Sequence, residues 1–103
     1  VNLLKKIDNT VSPETATFDL NETLQEDVVF TVTPVEGVTV KGVYNGETEI
    51  TGATNITIVG NKITIKAAYL ATQEVGDVTL TIDFSDFTDL SAVITIIDTT
   101  EGE

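Results

Sequence analysis

The stretch Ile56 to Phe84, ITIVGNKITIKAAYLATQEVGDVTLTIDF, decides the fold. Two alternating runs flank Gly60-Asn61, and glycine at the first loop position suits a type II′ two-residue hairpin. Pairing outward from that loop sets Val59 against Lys62, Ile58 against Ile63, Thr57 against Thr64 and Ile56 against Ile65. Directly opposed residues share a face, so the four isoleucines form one apolar patch and the two threonines point away. A one-residue slip would scatter the isoleucines over both faces, which specifies the register. Ala67 to Thr72 lacks period-two alternation and reads as one helical turn crossing an end of the domain, closed by Val75-Gly76. Then Val78, Leu80, Ile82 and Phe84 alternate with Thr79, Thr81 and Asp83. A sheet with one wet and one dry face follows.

The rest of the chain extends that pattern. Ser12-Pro13 is a break, because proline fixes its own φ and pushes the preceding residue toward extended backbone. Ala16, Phe18 and Leu20 share one side of a strand, and Asn21 to Gln25 is a polar turn. Val28, Phe30 and Val32 line a second strand that stops at Pro34. Val38 and Val40 begin a third, which runs into Asn45-Gly46, a type I′ signal. That loop pairs Tyr44 with Glu47 and Val43 with Thr48 and places Lys41 opposite Ile50. Val38 and Val40 share Val43's face only if the strand bulges, and Gly42 is the place for it; Tyr44 then faces solvent. In the last strand Leu90, Ala92, Ile94 and Ile96 face inward. Val93 and Ile97 are then apolar on the wet face, to be covered by Leu3 and Leu4 or by a neighbouring module.

The tally predicts an all-β sandwich of about seven strands with one helical turn near residues 67–72. A chain of 103 residues is one domain and buries roughly two-thirds of its extended surface, enough for a core without staples. With only 6% aromatic residues, that core is aliphatic and β-branched. Residues 1–10 read as linker or edge strand, residues 11–98 as the single module, and 99–103 as the start of an acidic linker. Starting at Val1 without methionine, the chain reads as a module cut from something longer.

Composition excludes several function classes. The net charge is −12, with 17 acids against five lysines and no arginine, so no basic surface exists to displace counterions from nucleic acid or to hold an anionic membrane. That charge keeps a β-protein soluble and opposes edge-to-edge pairing. No apolar run approaches the ~18 residues of a membrane span. Histidine, cysteine, methionine and tryptophan are absent as well, which removes His- or Cys-based metal sites, nucleophile–histidine pairs and arginine clamps on phosphate. No phosphate-cradling glycine loop is present, and among 17 acids close pairs arise by chance, so the expectation is a protein that is not an enzyme and needs no cofactor.

Five features remain to weigh. Asp83, Asp86 and Asp89 in DFSDFTD are either oxygen ligands for calcium or a solvated, edge-protecting loop, and their spacing is not that of an EF-hand. Asn21-Glu22-Thr23 and Asn55-Ile56-Thr57 match the glycosylation triplet, which arises easily in a Thr-rich chain. Tyr69 reads as a plug at the sandwich end with its hydroxyl on backbone, in the manner of a tyrosine corner. Tyr44, Asn45 and Glu47 at the tight turn form the candidate carbohydrate contact, an exposed ring able to stack on a sugar face; the alternative is an ordinary cross-strand partner. Phe87, in the acidic loop, is either capping or exposed.

Residues KAAYLATQEVGDVTLTIDFSD, with VSPETATFDLN at Val11 to Asn21, YNGETEIT at Tyr44 to Thr51 and the VGNKITI hairpin, resemble the X2 modules of bacterial cellulosomal scaffoldins and some glycoside hydrolases. The resemblance runs from about Val11 to Ile97. It implies an immunoglobulin-like sandwich in a secreted or cell-surface bacterial protein of several modules. It also implies a non-catalytic role: binding cellulose or bacterial cell wall, and acting as a solubilising spacer between neighbouring modules. It transfers no binding residues. Cellulose surfaces are normally met by rows of exposed aromatics, so a chain with no tryptophan and one surface tyrosine predicts weak, largely polar binding by a monomeric module. Alternatives are a purely structural spacer or buttress for an adjacent cohesin, dockerin or catalytic module, suggested by Val93 and Ile97, or an immunoglobulin-like repeat of a surface-layer or adhesin protein.

Overall fold

The computed structural model describes residues 9–100, so Leu3 and Leu4, the expected cover for Val93 and Ile97, lie outside the described residues. Among the described residues nine strands, a short 3-10 turn and one α-helical turn follow in order: β1 (Thr10–Ser12), β2 (Thr15–Asp19), the 3-10 turn (Glu22–Leu24), β3 (Val28–Thr33), β4 (Val40–Asn45), β5 (Thr48–Glu49), β6 (Ile56–Val59), β7 (Lys62–Ile65), α1 (Ala67–Leu70), β8 (Gly76–Phe84) and β9 (Asp89–Ile97). They make a four-stranded sheet in the order β1-β3-β7-β6 and a five-stranded sheet in the order β2-β9-β8-β4-β5. The all-β sandwich read from the sequence is the fold observed.

The chain changes sheets at Pro13, which cannot donate to a ladder. Before it, β1 pairs antiparallel with β3; after it, β2 runs parallel to β9. The β6–β7 hairpin has the register read from the sequence, Ile56 against Ile65 through Val59 against Lys62. Gly60 takes φ 59 while Asn61 stays at negative φ, as a type II′ loop requires. Ile63 and Ile65 are fully buried and Ile56 nearly so. Ile58 is the exception at 38% exposed, because β6 is an edge strand and Ile58 sits beside its loop.

Between the sheets pack Phe18, Phe30, Phe84, Ile63, Ile65, Leu80, Ile82, Ile94 and Ile96, all fully buried. Leu70 of α1 closes one end of this core, and the Lys66–Asp27 ion pair at 3.8 Å holds the turn beside β3. Val93 and Ile97 are half-buried within their own sheet, since β9 is a central strand and Thr15, Thr79 and Asp19 flank them. The strand bulges where expected: Val40 pairs with Phe84 and Gly42 with Asp83, leaving Lys41 as the extra residue.

The hairpin that follows differs from the sequence reading by one position. Asn45 pairs with Thr48 and Tyr44 with Glu49, so the loop is Gly46-Glu47 and not Asn45-Gly46. Gly46 has φ 66 and Glu47 a negative φ, which makes this loop type II′ as well. The observed register brings Ile50 directly opposite Val43, with Ile50 N–H donating to the Val43 carbonyl at 2.9 Å and both side chains buried.

Candidate functional site

The outer face of the five-stranded sheet alternates with the core residues of each strand and carries a central group of hydroxyls among aspartates and the apolar Val93 and Ile97. Thr15 and Thr17 from β2, Ser91 and Thr95 from β9, and Thr79 and Thr81 from β8 all stand on it. Cross-strand pairing lines up Tyr44, Thr81 and Ser91 as one row and Thr79, Val93 and Thr15 as the next. β-branched threonines favour such a pleated surface and leave a hydroxyl toward water.

Tyr44 is the aromatic member of this face and is half-buried where full exposure was expected. Its partner is Glu49 on β5. Asn45–Thr48 and Val43–Ile50 flank them, and the latter exchanges a backbone hydrogen bond, so Tyr44–Glu49 is the closely spaced pair in which side chains approach. Gly42 makes room for both. A Cβ there would lie 2.8 Å from Glu49 Oε2 and 3.6 Å from Tyr44 Cε1. The carboxylate and the ring thus occupy the notch left by a missing side chain. A ring beside a carboxylate, backed by hydroxyls, offers an apolar surface for the C–H face of a pyranose and acceptors for its hydroxyls.

The other two residues expected beside Tyr44 lie elsewhere. Glu47 is in the loop and exposed. Asn45 points to the opposite side of the strand, where its amide donates to Tyr69 Oη at 2.9 Å and Gln73 Oε1 at 3.3 Å. The Tyr69 hydroxyl therefore meets a side chain and not backbone, because the one-residue shift brings Asn45 within its reach. Glu49, the acid that does meet Tyr44, was missed. The signal was available: glycine first in the loop, as at Gly60, selects Gly46-Glu47.

The three aspartates of DFSDFTD do not converge. Asp83 and Asp89 oppose each other across β8 and β9, while Asp86 turns into the loop to accept from Thr88 N–H and hydroxyl. The Thr88 hydroxyl is the main cause holding the Asp86 carboxyl below the ordinary aspartate range, against a smaller opposing effect of burial. Among the described residues no group of three or more acids is placed to hold a metal ion. Asn21 caps the short 3-10 turn Glu22–Leu24, and the Asn55 amide donates to the Thr51 carbonyl at 2.8 Å. Phe87 is exposed.

Comparison with known proteins places the chain in a family. The model of carbohydrate binding domain X2 matches residues 11–96. Cellulose-binding protein A of Clostridium cellulovorans is 41% identical over 90 residues, which is 86% of this chain and 5% of that protein. Two solved structures share the fold. One is a tri-modular endo-beta-1,4-glucanase from Bacillus licheniformis complexed with cellotetraose, with TM-score 0.73, 18% identity, and 88% of this chain and 18% of that one covered. The other is a module of the cellulosomal scaffoldin protein CipC of Clostridium cellulolyticum, with TM-score 0.60, 26% identity, and 93% and 95% covered. The chain spans a tenth or less of the length of the curated relatives it matches. By the match across most of its length, the chain belongs to the carbohydrate binding domain X2 family.

Proposed function

We propose that this chain is a non-catalytic module of a secreted, multimodular polysaccharide-degrading or scaffoldin protein, and that it binds cellulose weakly through the outer face of its five-stranded sheet. The observation that carries the reading is the Tyr44 ring beside the Glu49 carboxylate in the notch at Gly42, flanked by Thr81 and Ser91. Asn45 supports the site by fixing the end of β4. One ring and a few polar groups make a small contact, on the order of millimolar affinity and −4 kcal/mol. Of the two glycans the family suggests, cellulose is neutral and bacterial cell wall is largely anionic. A protein of net charge −12 is repelled by the second. The same charge keeps a multimodular parent soluble.

Retention on microcrystalline cellulose and on peptidoglycan, measured against a charge-matched inert protein, tests this. The native chain should be retained on cellulose above the control, and Tyr44→Ala should lose most of that excess. Equal retention of the native chain and the control would end the binding claim.

A second reading, a spacer between modules, is favoured by a different observation. Asp19 at the end of β2 accepts from Thr99 N–H at 3.0 Å and from the Thr99 hydroxyl at 2.7 Å, so the chain beyond β9 leaves along a fixed path. The Thr99 N–H foremost, then its hydroxyl and the Asn21 N–H, hold the Asp19 carboxyl below the ordinary aspartate value. A depressed folded-state value means that the clip contributes fully above the unfolded value, about 3.9. The contribution is lost as pH falls through the lower, folded value. An NMR titration should show the Thr99 amide and the Asp19 carboxyl shifting together below about pH 4. Independent titration of the two would remove the spacer reading's support.

A further inference from the structure

The β8–β9 connection presents an aromatic ring in a way that packing does not explain. Phe84 N–H donates to the Thr88 carbonyl at 2.9 Å and Phe87 N–H to the Phe84 carbonyl at 3.0 Å, which closes the three-residue loop Ser85-Asp86-Phe87. The last residue of such a loop sits in the left-handed region, a place for glycine or asparagine. Here it is Phe87 at φ 70, a conformation unfavourable for a bulky L-residue. Backbone strain of this kind persists where the surrounding structure enforces it and gathers at functional sites, and the side chain it carries here is 88% exposed.

The base beneath that ring is tightly held. Asp86 accepts from Thr88, and Thr88 Oγ1 accepts from Asn9 Nδ2 at 2.7 Å. Ser85 N–H donates to the Thr39 carbonyl at 2.8 Å, and Ser85 Oγ accepts from Thr39 N–H at 3.0 Å. The loop backbone that carries the ring is therefore held before any ligand arrives, and a contact on a rigid base loses less freedom on binding. Lys41, the extra residue of the β4 bulge, places its ammonium 5.6 Å from the Phe87 ring centroid. Lys41 adjoins Gly42, over which the Tyr44 ring leans. Phe87, Lys41, Gly42 and Tyr44 thus follow one another from the loop tip along β4.

We propose that Phe87, with Lys41 beside it, is a second stacking platform for the glycan chain that Tyr44 meets, which rests on the outer-face reading above. The ligand class is a β-1,4-linked pyranose chain, whose equatorial substituents leave flat C–H faces for the two rings and a rim of hydroxyls for the Lys41 ammonium and the Glu49 carboxylate. Cellulose and the peptidoglycan backbone share that linkage. The net charge of −12 favours the neutral one.

The native chain, Phe87→Gly, Tyr44→Ala and the double variant would be run on native gels containing hydroxyethyl cellulose and bound to microcrystalline cellulose and to peptidoglycan, with the melting temperature of each recorded. Glycine takes the left-handed conformation freely, so Phe87→Gly should melt at or above the native temperature while its binding falls about fivefold, with a further fall in the double variant. Loss on cellulose alone assigns the site to glucan, and loss on both assigns it to the shared linkage. Binding unchanged in Phe87→Gly but reduced in Tyr44→Ala overturns the second platform and leaves the first standing. A lower melting temperature in Phe87→Gly overturns it too, since the ring would then be structural. A native chain retained on neither glycan overturns both readings.

Discussion

The β4–β5 and β6–β7 hairpins turn on the same chemistry and are held by different forces. Each has a two-residue type II′ loop opened by glycine, Gly46-Glu47 in one and Gly60-Asn61 in the other. In β6–β7 the loop joins two four-residue strands whose isoleucines face one another, and β3 backs β7 on its other side. In β4–β5 one partner is bulged at Gly42 and the other is two residues long. Side-chain alternation is enough to set the first register. In the second, the Val43–Ile50 contact and the bonds of Asn45 to Tyr69 and Gln73 set it. A hairpin held by few contacts is also the one free to present a functional pair on its outer face.

The largest expected difference between the two lies in the core. Ile63→Ala empties a fully buried site next to β3 and should destabilise by about 4 kcal/mol. Ile50→Ala, just past the edge strand and opposite Val43, should cost about 2 kcal/mol. Urea denaturation of both variants measures this. Equal losses would mean that the β4–β5 hairpin is as firmly built into the core as β6–β7.

Asn45 supplies the next test. Removing its amide leaves the half-buried Tyr69 hydroxyl and Gln73 carbonyl without this donor, so Asn45→Ala should cost about 1–2 kcal/mol. In a Tyr69→Phe background the loss should shrink by about 1 kcal/mol, a coupling that a double-mutant cycle isolates. The residue before the other loop, Val59, is 73% exposed, and Val59→Ala should change stability by less than about 0.5 kcal/mol. Additive Asn45 and Tyr69 effects would show that the bond seen between them does not hold the register.

These two hairpins also mark how far the sequence could be read. Period-two alternation around Gly60 and along Val78 to Phe84 identified core strands, because burial on one face leaves a record in every second residue. Gly42 was legible as a bulge because the inward valines could not otherwise share a face. Asn45-Gly46 misled because a dipeptide preference is local, whereas the partner that captured Asn45 is 24 residues away. The same slip hid Glu49 and put Glu47 in its place beside Tyr44. Thr81 and Ser91 join the site through pairings with β8 and β9 that no local pattern encodes. Phe87 in the left-handed region contradicts its residue type, so nothing in DFSDFTD alone announces it.

The smallest expected change in stability separates the functional from the structural role of β4–β5. In Gly42→Ala the new Cβ meets Glu49 Oε2 at 2.8 Å, the far end of a flexible side chain that can swing away. Gly42 has no positive φ, so alanine is tolerated there and also restricts the unfolded chain. The two effects oppose each other, and the net change should stay within about 0.5 kcal/mol. The hairpin keeps its loop, its Val43–Ile50 contact and its bonds to Asn45, while the carboxylate leaves the notch beside the ring. Retention on cellulose should therefore fall although the melting temperature hardly moves. If retention holds, Glu49 is no part of the contact, and Tyr44 would have to act with Thr81 and Ser91 alone.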